Sequence, residues 1–236
     1  MAQQTEPVRR TPLTRDRVLR AAVALADETG IEALSMRKLA QELGVVPMAL
    51  YKHVANKEQL LDGMVDVVMS EIDPPAPGAD WQGAVRRRVL SARRAFLGHP
   101  WAAQVLQSRT SPTPVVLAYM DSVIGMFRTG GFSVDLTHHV MHALGSRMMG
   151  ITQELFDASP NPDPRPGSAA PQEDAGQFPY VTELAGAVAH DAGSVVGQGC
   201  DDQFEFEFAL NLLLDGFERL RQQGWSSASR SRDNGR

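Results

Sequence analysis

The chain has one cysteine, Cys200, among 236 residues. A single thiol excludes an internal disulfide framework and a multi-cysteine metal site, and reads most simply as an isolated structural or surface thiol. Lysine is nearly as scarce, with only Lys38, Lys52 and Lys57, all within one short stretch. No apolar run approaches the roughly 18 residues that a membrane helix needs, and the N-terminus carries no apolar signal segment. The expectation is a cytoplasmic protein without a membrane partner. G-x-S-x-G, H-E-x-x-H, a Walker loop and a dinucleotide glycine motif are all missing, so no cofactor is implied and an all-α enzyme or carrier has no motif to rest on. There is no internal repeat.

What is present is ordinary for a folded protein: hydrophobic residues at 43% and charged residues at 22%. The length fits one or two domains, and two is the better reading. Net charge is −5, which taken alone argues against nucleic acid. Its distribution argues the other way. Residues 1–60 hold nine Lys or Arg against seven Asp or Glu, leaving −7 for the remainder. A mildly basic head on an acidic body suits a protein whose head alone meets phosphates.

That head centres on residues 35–61. Met36, Leu39, Ala40 and Leu43 form one apolar helical stripe. Gly44 suits a left-handed helix end, with Val45 folding back onto the core. Pro47 restarts the chain at a first helical position, predicting a second helix to about Lys52 that buries Leu50. Two short helices across a glycine turn make a helix-turn-helix, which offers the N-terminal half of its second helix to the major groove of DNA.

The run Gly44-Val45, Leu50-Tyr51, His53, Asn56-Lys57 and Leu60-Leu61, with Arg37-Lys38-Leu39-Ala40 upstream, resembles the DNA-binding domain of the TetR family of bacterial repressors over about residues 13–72. Beyond that, the helical pattern alone is similar.

Residues 1–12 read as a disordered arm whose Arg9 and Arg10 are either solvated or set against a groove. A first helix is expected from Thr14 to Thr29, with Thr14 as N-cap, a buried stripe of Val18, Ala22, Leu25 and Ala26, and a Schellman ending at Gly30-Ile31. Ser35 caps the next helix, with Leu34 and Leu39 as its hydrophobic staple. Asn56 and Gln59 resemble a capping box opening a helix that runs through Ile72 until Asp73-Pro74-Pro75 stops it. Residues 73–79 are the expected domain boundary.

A helical domain over 80–223 follows. Asp80 precedes a helix burying Trp81, Val85, Val89, Ala92 and Phe96. Its Arg86, Arg87, Arg88, Arg93 and Arg94 read as a solvated basic face rather than a second nucleic-acid patch. His99-Pro100 breaks it. Further helices are expected over 101–108, 114–128, 134–156, 179–190 and 203–223, with 157–178 a mobile loop and 224–236 a disordered tail. The last long helix is apolar over most of its circumference, through Phe204, Phe206, Phe208, Leu210, Leu212, Leu213, Leu214 and Phe217. Such a helix must be covered on more than one side, and a partner chain is the expected cover.

The resemblance implies an all-α fold, with an N-terminal three-helix DNA-binding domain and a C-terminal ligand-binding and dimerisation domain. It implies a homodimeric repressor, paired through helices 134–156 and 203–223, that reads a palindromic operator on double-stranded DNA and is released by a small-molecule effector. A DNA-binding protein without ligand control stays open. Carried onto this sequence, Arg37 meets a guanine edge. Met48 and Ala49 are placed for a thymine methyl and Tyr51 and Lys52 for a phosphate, with Ser35, His53 and Lys57 as further backbone contacts. Val46 departs from the pattern, standing where many relatives have a capping serine. Candidate effector contacts are Trp101, Met120, Phe127, His138, Met141 and Met148, whose spacing describes ordinary core equally well. His138 and His142 have a usable metal-ligand spacing, but no carboxylate shares their frame, so no metal site is assigned among His138, His139 and His142. His99 is a further candidate for a ligand or metal contact that the resemblance does not carry.

Overall fold

The computed structural model describes residues 12–75, 78–149, 178–180, 182–183 and 202–228. Among these every regular element is a helix: α1 (Arg15–Thr29), α2 (Met36–Glu42), α3 (Pro47–Leu50), α4 (Lys57–Ser70), α5 (Trp81–Gly98), α6 (Trp101–Ser108), α7 (Pro114–Thr129), α8 (Val134–Met149) and α9 (Asp202–Gln222). The expected arm, the mobile loop, Cys200, most of the 179–190 helix and residues 150–156 lie outside the described residues.

Short-range chemistry sets most boundaries. Thr14, Ser35, Asn56, Asp80 and Thr113 sit in extended conformation, and each side chain accepts from the backbone N–H three residues on, supplying one of the donors a helix start leaves free. At Asn56 the return bond falls one residue short of the expected capping box, since Gln59 Oε1 accepts at 2.6 Å from the N–H of Ala55, the residue before the cap. Gly44, at φ 65°, ends α2 with the paired bonds of a Schellman motif, Val45 N–H to Ala40 O and Gly44 N–H to Gln41 O.

Four expectations need correction. Gly30 lies at φ 80°, ψ 154°, outside the left-handed helical region and open in practice to glycine only, so α1 ends in an extended kink that leads into a 3-10 turn at Ile31–Ala33 rather than in a Schellman motif. α3 stops at Leu50 instead of Lys52, because the N–H groups of His53 and Val54 both turn back to the Leu50 carbonyl. α4 stops at Ser70, with Ile72 buried beyond it. Leu43 and Val45 are half-buried, whereas Leu39 and Leu50 are fully buried.

The chain clusters into two compact units that divide after Thr137. In the first, α1 packs on α4, and α4 also contacts α5, α6 and α7. α1 and α4 meet at Gly63, where a Cβ would lie 2.6 Å from Leu19 Cδ2. Trp81, Phe127 and Phe132 form an aromatic cluster with ring centroids 4.7–5.6 Å apart. Gly130 lies against it, and a Cβ there would fall 2.6 Å from Trp81 Cβ. In the second unit α9 buries Phe206, Leu210, Leu214 and Phe217, and exposes Phe204, Phe208 and Leu212 on its other side. Arg147 of α8 donates to the Glu205 carbonyl and lies over the Phe206 ring. The start of the expected tail is ordered: Gly224 closes α9 and Trp225 sits 5.2 Å from the His139 ring.

Candidate nucleic-acid interface

α2 and α3 meet across the Gly44 turn with Leu39, Ala40 and Leu50 underneath. Once those residues are buried, the period of the helices leaves the rest outside. Ser35, Arg37, Met48, Tyr51, Lys52 and Lys57 are exposed, while Ala49 and His53 are half-buried. Met48, at 71% exposure, and Val46, at 69%, are among the most exposed large apolar side chains described. The structure thus brings the eight sequence-predicted residues to the helix-turn-helix and the start of α4. Among the described residues none of the side chains of Arg37, Lys52, His53 and Lys57 pairs with another group of the protein. α3 begins at Val46 without a side-chain cap; Pro47 has no N–H and that of Ala49 returns to the Val46 carbonyl, which leaves the Met48 N–H uncapped.

The rear of the same head is fastened. Arg109, at the end of α6, donates to Asp62 Oδ1 at 2.7 Å and Glu58 Oε2 at 2.5 Å. Its pKa is raised, chiefly by the Glu58 hydrogen bond. Thr113 Oγ1 bonds to Asp66 Oδ1. Glu58, Asp62 and Asp66 recur every four residues, one acidic stripe along α4. At the other end of α6, Trp101 Nε1 donates to Asp27 Oδ1 at 2.6 Å, and His99 sits between Asp27 and Glu71. Sequence reasoning missed this bracket. The acidic stripe was visible at its four-residue spacing, but nothing local names Arg109 as its partner.

The expected effector residues fall in both units. Trp101 and Phe127 are buried, one bonded to Asp27 and the other inside the aromatic cluster, and Met120 is exposed. His138 is exposed, while Met141 and Met148 are half-buried in the second unit. The His138 and His142 rings lie 4.6 Å apart, and among the described residues no group of three His, Cys, Asp or Glu is arranged to hold a metal. The arginines of α5 do more than meet solvent. Arg88 donates to the carbonyls of Ile72 and Asp73 and stacks on Tyr119, and Arg94 pairs with Asp73 at 2.6 Å. They fasten the linker after α4, beside a cavity of about 250 Å³ that none of the expected effector residues lines.

Residues 18–64 match the family model for bacterial regulatory proteins of the tetR family, and residues 74–221 match the tetracyclin repressor-like C-terminal domain. The chain belongs to the tetR family. It is 32% identical over 219 residues to the HTH-type transcriptional repressor DrrR1 of Streptomyces coeruleorubidus, covering 89% of this chain and 79% of that one. With the tetracycline repressor protein class D of Escherichia coli it shares 31% identity over 209 residues, 87% and 89% of the two chains. Among solved structures, apo ActR of Streptomyces coelicolor superposes with a TM-score of 0.68 at 27% identity, covering 91% of this chain and 99% of ActR. ActR in complex with actinorhodin gives 0.61 at 28%, covering 89% and 98%. The tetR-family chain described here is a ligand-responsive, DNA-binding transcriptional repressor. No described helix is long and apolar enough to cross a membrane.

Proposed function

We propose that the protein reads a palindromic operator as a homodimer, through Arg37, Met48, Ala49, Tyr51 and Lys52, with Ser35, His53 and Lys57 on the phosphates. The observation that carries this reading is the uncompensated front of the head: exposed cations with no partner among the described residues, grouped on a glycine-turned helix pair and the start of α4. Arg37 supplies the two-pronged donor that suits guanine O6 and N7. Met48 offers apolar surface to a thymine methyl.

The dimer forms through helices 134–156 and 203–223. Phe204, Phe208 and Leu212 recur every four residues on the open side of α9, an apolar stripe that a monomer would leave in water. Two heads on a two-fold axis then meet successive major grooves about 34–36 Å apart. A small molecule bound in the C-terminal domain releases the operator by binding the released form more tightly. Actinorhodin and tetracycline, named by the relatives, are the first effectors to try. No catalytic role is assigned, and the protein works in the cytoplasm.

The test is selection from a pool of random duplexes at about physiological salt, with sequencing of what is retained. Enrichment of a two-fold symmetric site is expected. Retention without any enriched sequence would remove the operator reading.

A further inference from the structure

Three helix ends meet at His99. It is the C-terminal cap of α5. Its Nδ1 lies 2.9 Å from both carboxylate oxygens of Asp27, in the last turn of α1, and its Nε2 lies 3.1 Å from Glu71 Oε2, the C-cap of α4. Helix C-termini carry partial negative charge, so acidic groups there are unfavourable unless a cation answers them. Neither α1 nor α4 has a basic residue in its last turn. His99, with a side chain only 13% exposed, is the group placed to answer both.

We propose that His99 is a proton-carrying positioning residue that fastens the rear of the DNA-reading head to the α5–α6 corner, and that losing the proton loosens the head. The chemistry follows from the partners. Ionised Asp27 and Glu71 can only accept, so both contacts are hydrogen bonds only when both ring nitrogens carry hydrogen, as in the imidazolium. Neutral imidazole has one N–H. Deprotonation therefore sets a lone pair against one of the two carboxylates and breaks one tie. Trp101, donating to Asp27 from the next helix, holds that carboxylate in place in either state.

The surroundings agree with this reading. Burial disfavours the charged ring, but the hydrogen bonds and charges of Asp27 and Glu71 outweigh it, and the His99 pKa is raised above 6.5. Arg20 of α1, itself bonded to Asp16, is also attracted by Glu71. A raised value in the folded state means that the fastening is complete below the unfolded value of 6.5 and is lost as pH rises through the folded one.

The consequence for DNA rests on the operator reading above. A head held in one orientation meets its half-site with less to order, so the charged state binds more tightly. The experiment uses the full chain: carbon-13 histidine titration by NMR, and hydrogen exchange at residues 26–30 and 68–72 across pH after correction for intrinsic rates, for the wild type, His99→Gln, Glu71→Gln and Asp27→Asn. In the wild type, His99 should titrate above the ordinary histidine value, and exchange at both helix ends should rise through that titration. Glu71→Gln and Asp27→Asn should lower the titration point, and the amide oxygen introduced by Asp27→Asn can still accept from Trp101. His99→Gln should exchange at the high-pH level throughout. Against a selected operator, wild type should bind about fivefold tighter than His99→Gln at low pH, with the ratio falling toward one at high pH. Using that ratio cancels other titrations at the DNA face.

Titration of His99 at or below the ordinary value, or the same pH dependence in wild type and His99→Gln, overturns the proposal. Should His99→Gln fail to fold, the half-exposed Glu71→Gln carries the same comparison. Failure to select any operator would remove the DNA reading alone, since titration and exchange judge the tie without DNA.

Discussion

Front and rear of the head use charge in opposite ways. On the front, Arg37, Lys52 and Lys57 project from α2, the α3 turn and the start of α4 with no partner among the described residues. On the rear, Asp27, Glu58, Asp62, Asp66 and Glu71 each meet a donor from a residue of the α5–α7 region. Lys57 and Glu58 are adjacent in sequence, yet one belongs to each side. Surface ion pairs contribute little to stability, so folding does not demand that the front cations be paired. Left open, they are available to phosphates and base edges. The rear carboxylates, placed partly against other helices, need donors if they are not to cost stability. The charges that lack partners are therefore the ones to assign to a ligand, and the satisfied ones to mechanics.

Breaking the front should change binding and leave the fold alone. Replacing Arg37 by Ala removes a bidentate base contact and should cost about 1–3 kcal/mol of operator affinity, roughly a 5- to 150-fold loss in a titration at fixed salt. The melting temperature should hold, because the side chain is exposed and makes no hydrogen bond or ion pair among the described residues. If Arg37→Ala combined with Tyr51→Ala still binds as the wild type does, the front is wrongly assigned. Breaking the rear should lower stability and leave the base preference alone. Gly63→Ala forces a Cβ into the buried Leu19 side chain and should cost about 1–3 kcal/mol in chemical denaturation. Arg109→Ala follows at about 1 kcal/mol, since Glu58 is 66% exposed and its pair counts for little. In that variant the base preference of the selected operator should not move.

The front was legible because its determinants are local. The caps at Thr14, Ser35, Asn56 and Asp80 act over three residues, and the Gly44 turn over five. A helical period with Leu39 and Leu50 inside leaves Arg37, Met48 and Lys52 outside without further information. The rear was illegible because its ties join residues 28 to 74 positions apart, and periodicity says nothing about which helices meet. Gly130 shows the same limit at one residue. In the sequence, Gly130-Gly131 reads as a helix stop, and Gly131 at φ 87° fits that role. Gly130, at φ −72°, is small because Trp81 lies against it, 49 positions away. The effector residues were not legible for a third reason: apolar spacing describes a core and a pocket equally well, and in the structure Phe127 lies in an aromatic cluster and Trp101 donates to Asp27.

The smallest effect tests where the front ends. Val46 occupies the N-cap of α3 in extended conformation, φ −76° and ψ 144°, with no side-chain bond to the helix. The other N-caps Thr14, Ser35 and Asn56 show that extended backbone at this position takes a capping oxygen. Val46→Ser should then gain about 0.5–1 kcal/mol in denaturant unfolding, by capping one open N–H and removing an exposed apolar group. If that N–H instead serves a phosphate, the serine side chain competes with DNA for it, and the stabilised variant should bind the operator no better than the wild type. A gain in stability with a parallel gain in affinity would mean that the hydroxyl itself reaches the backbone, extending the front one residue beyond Pro47.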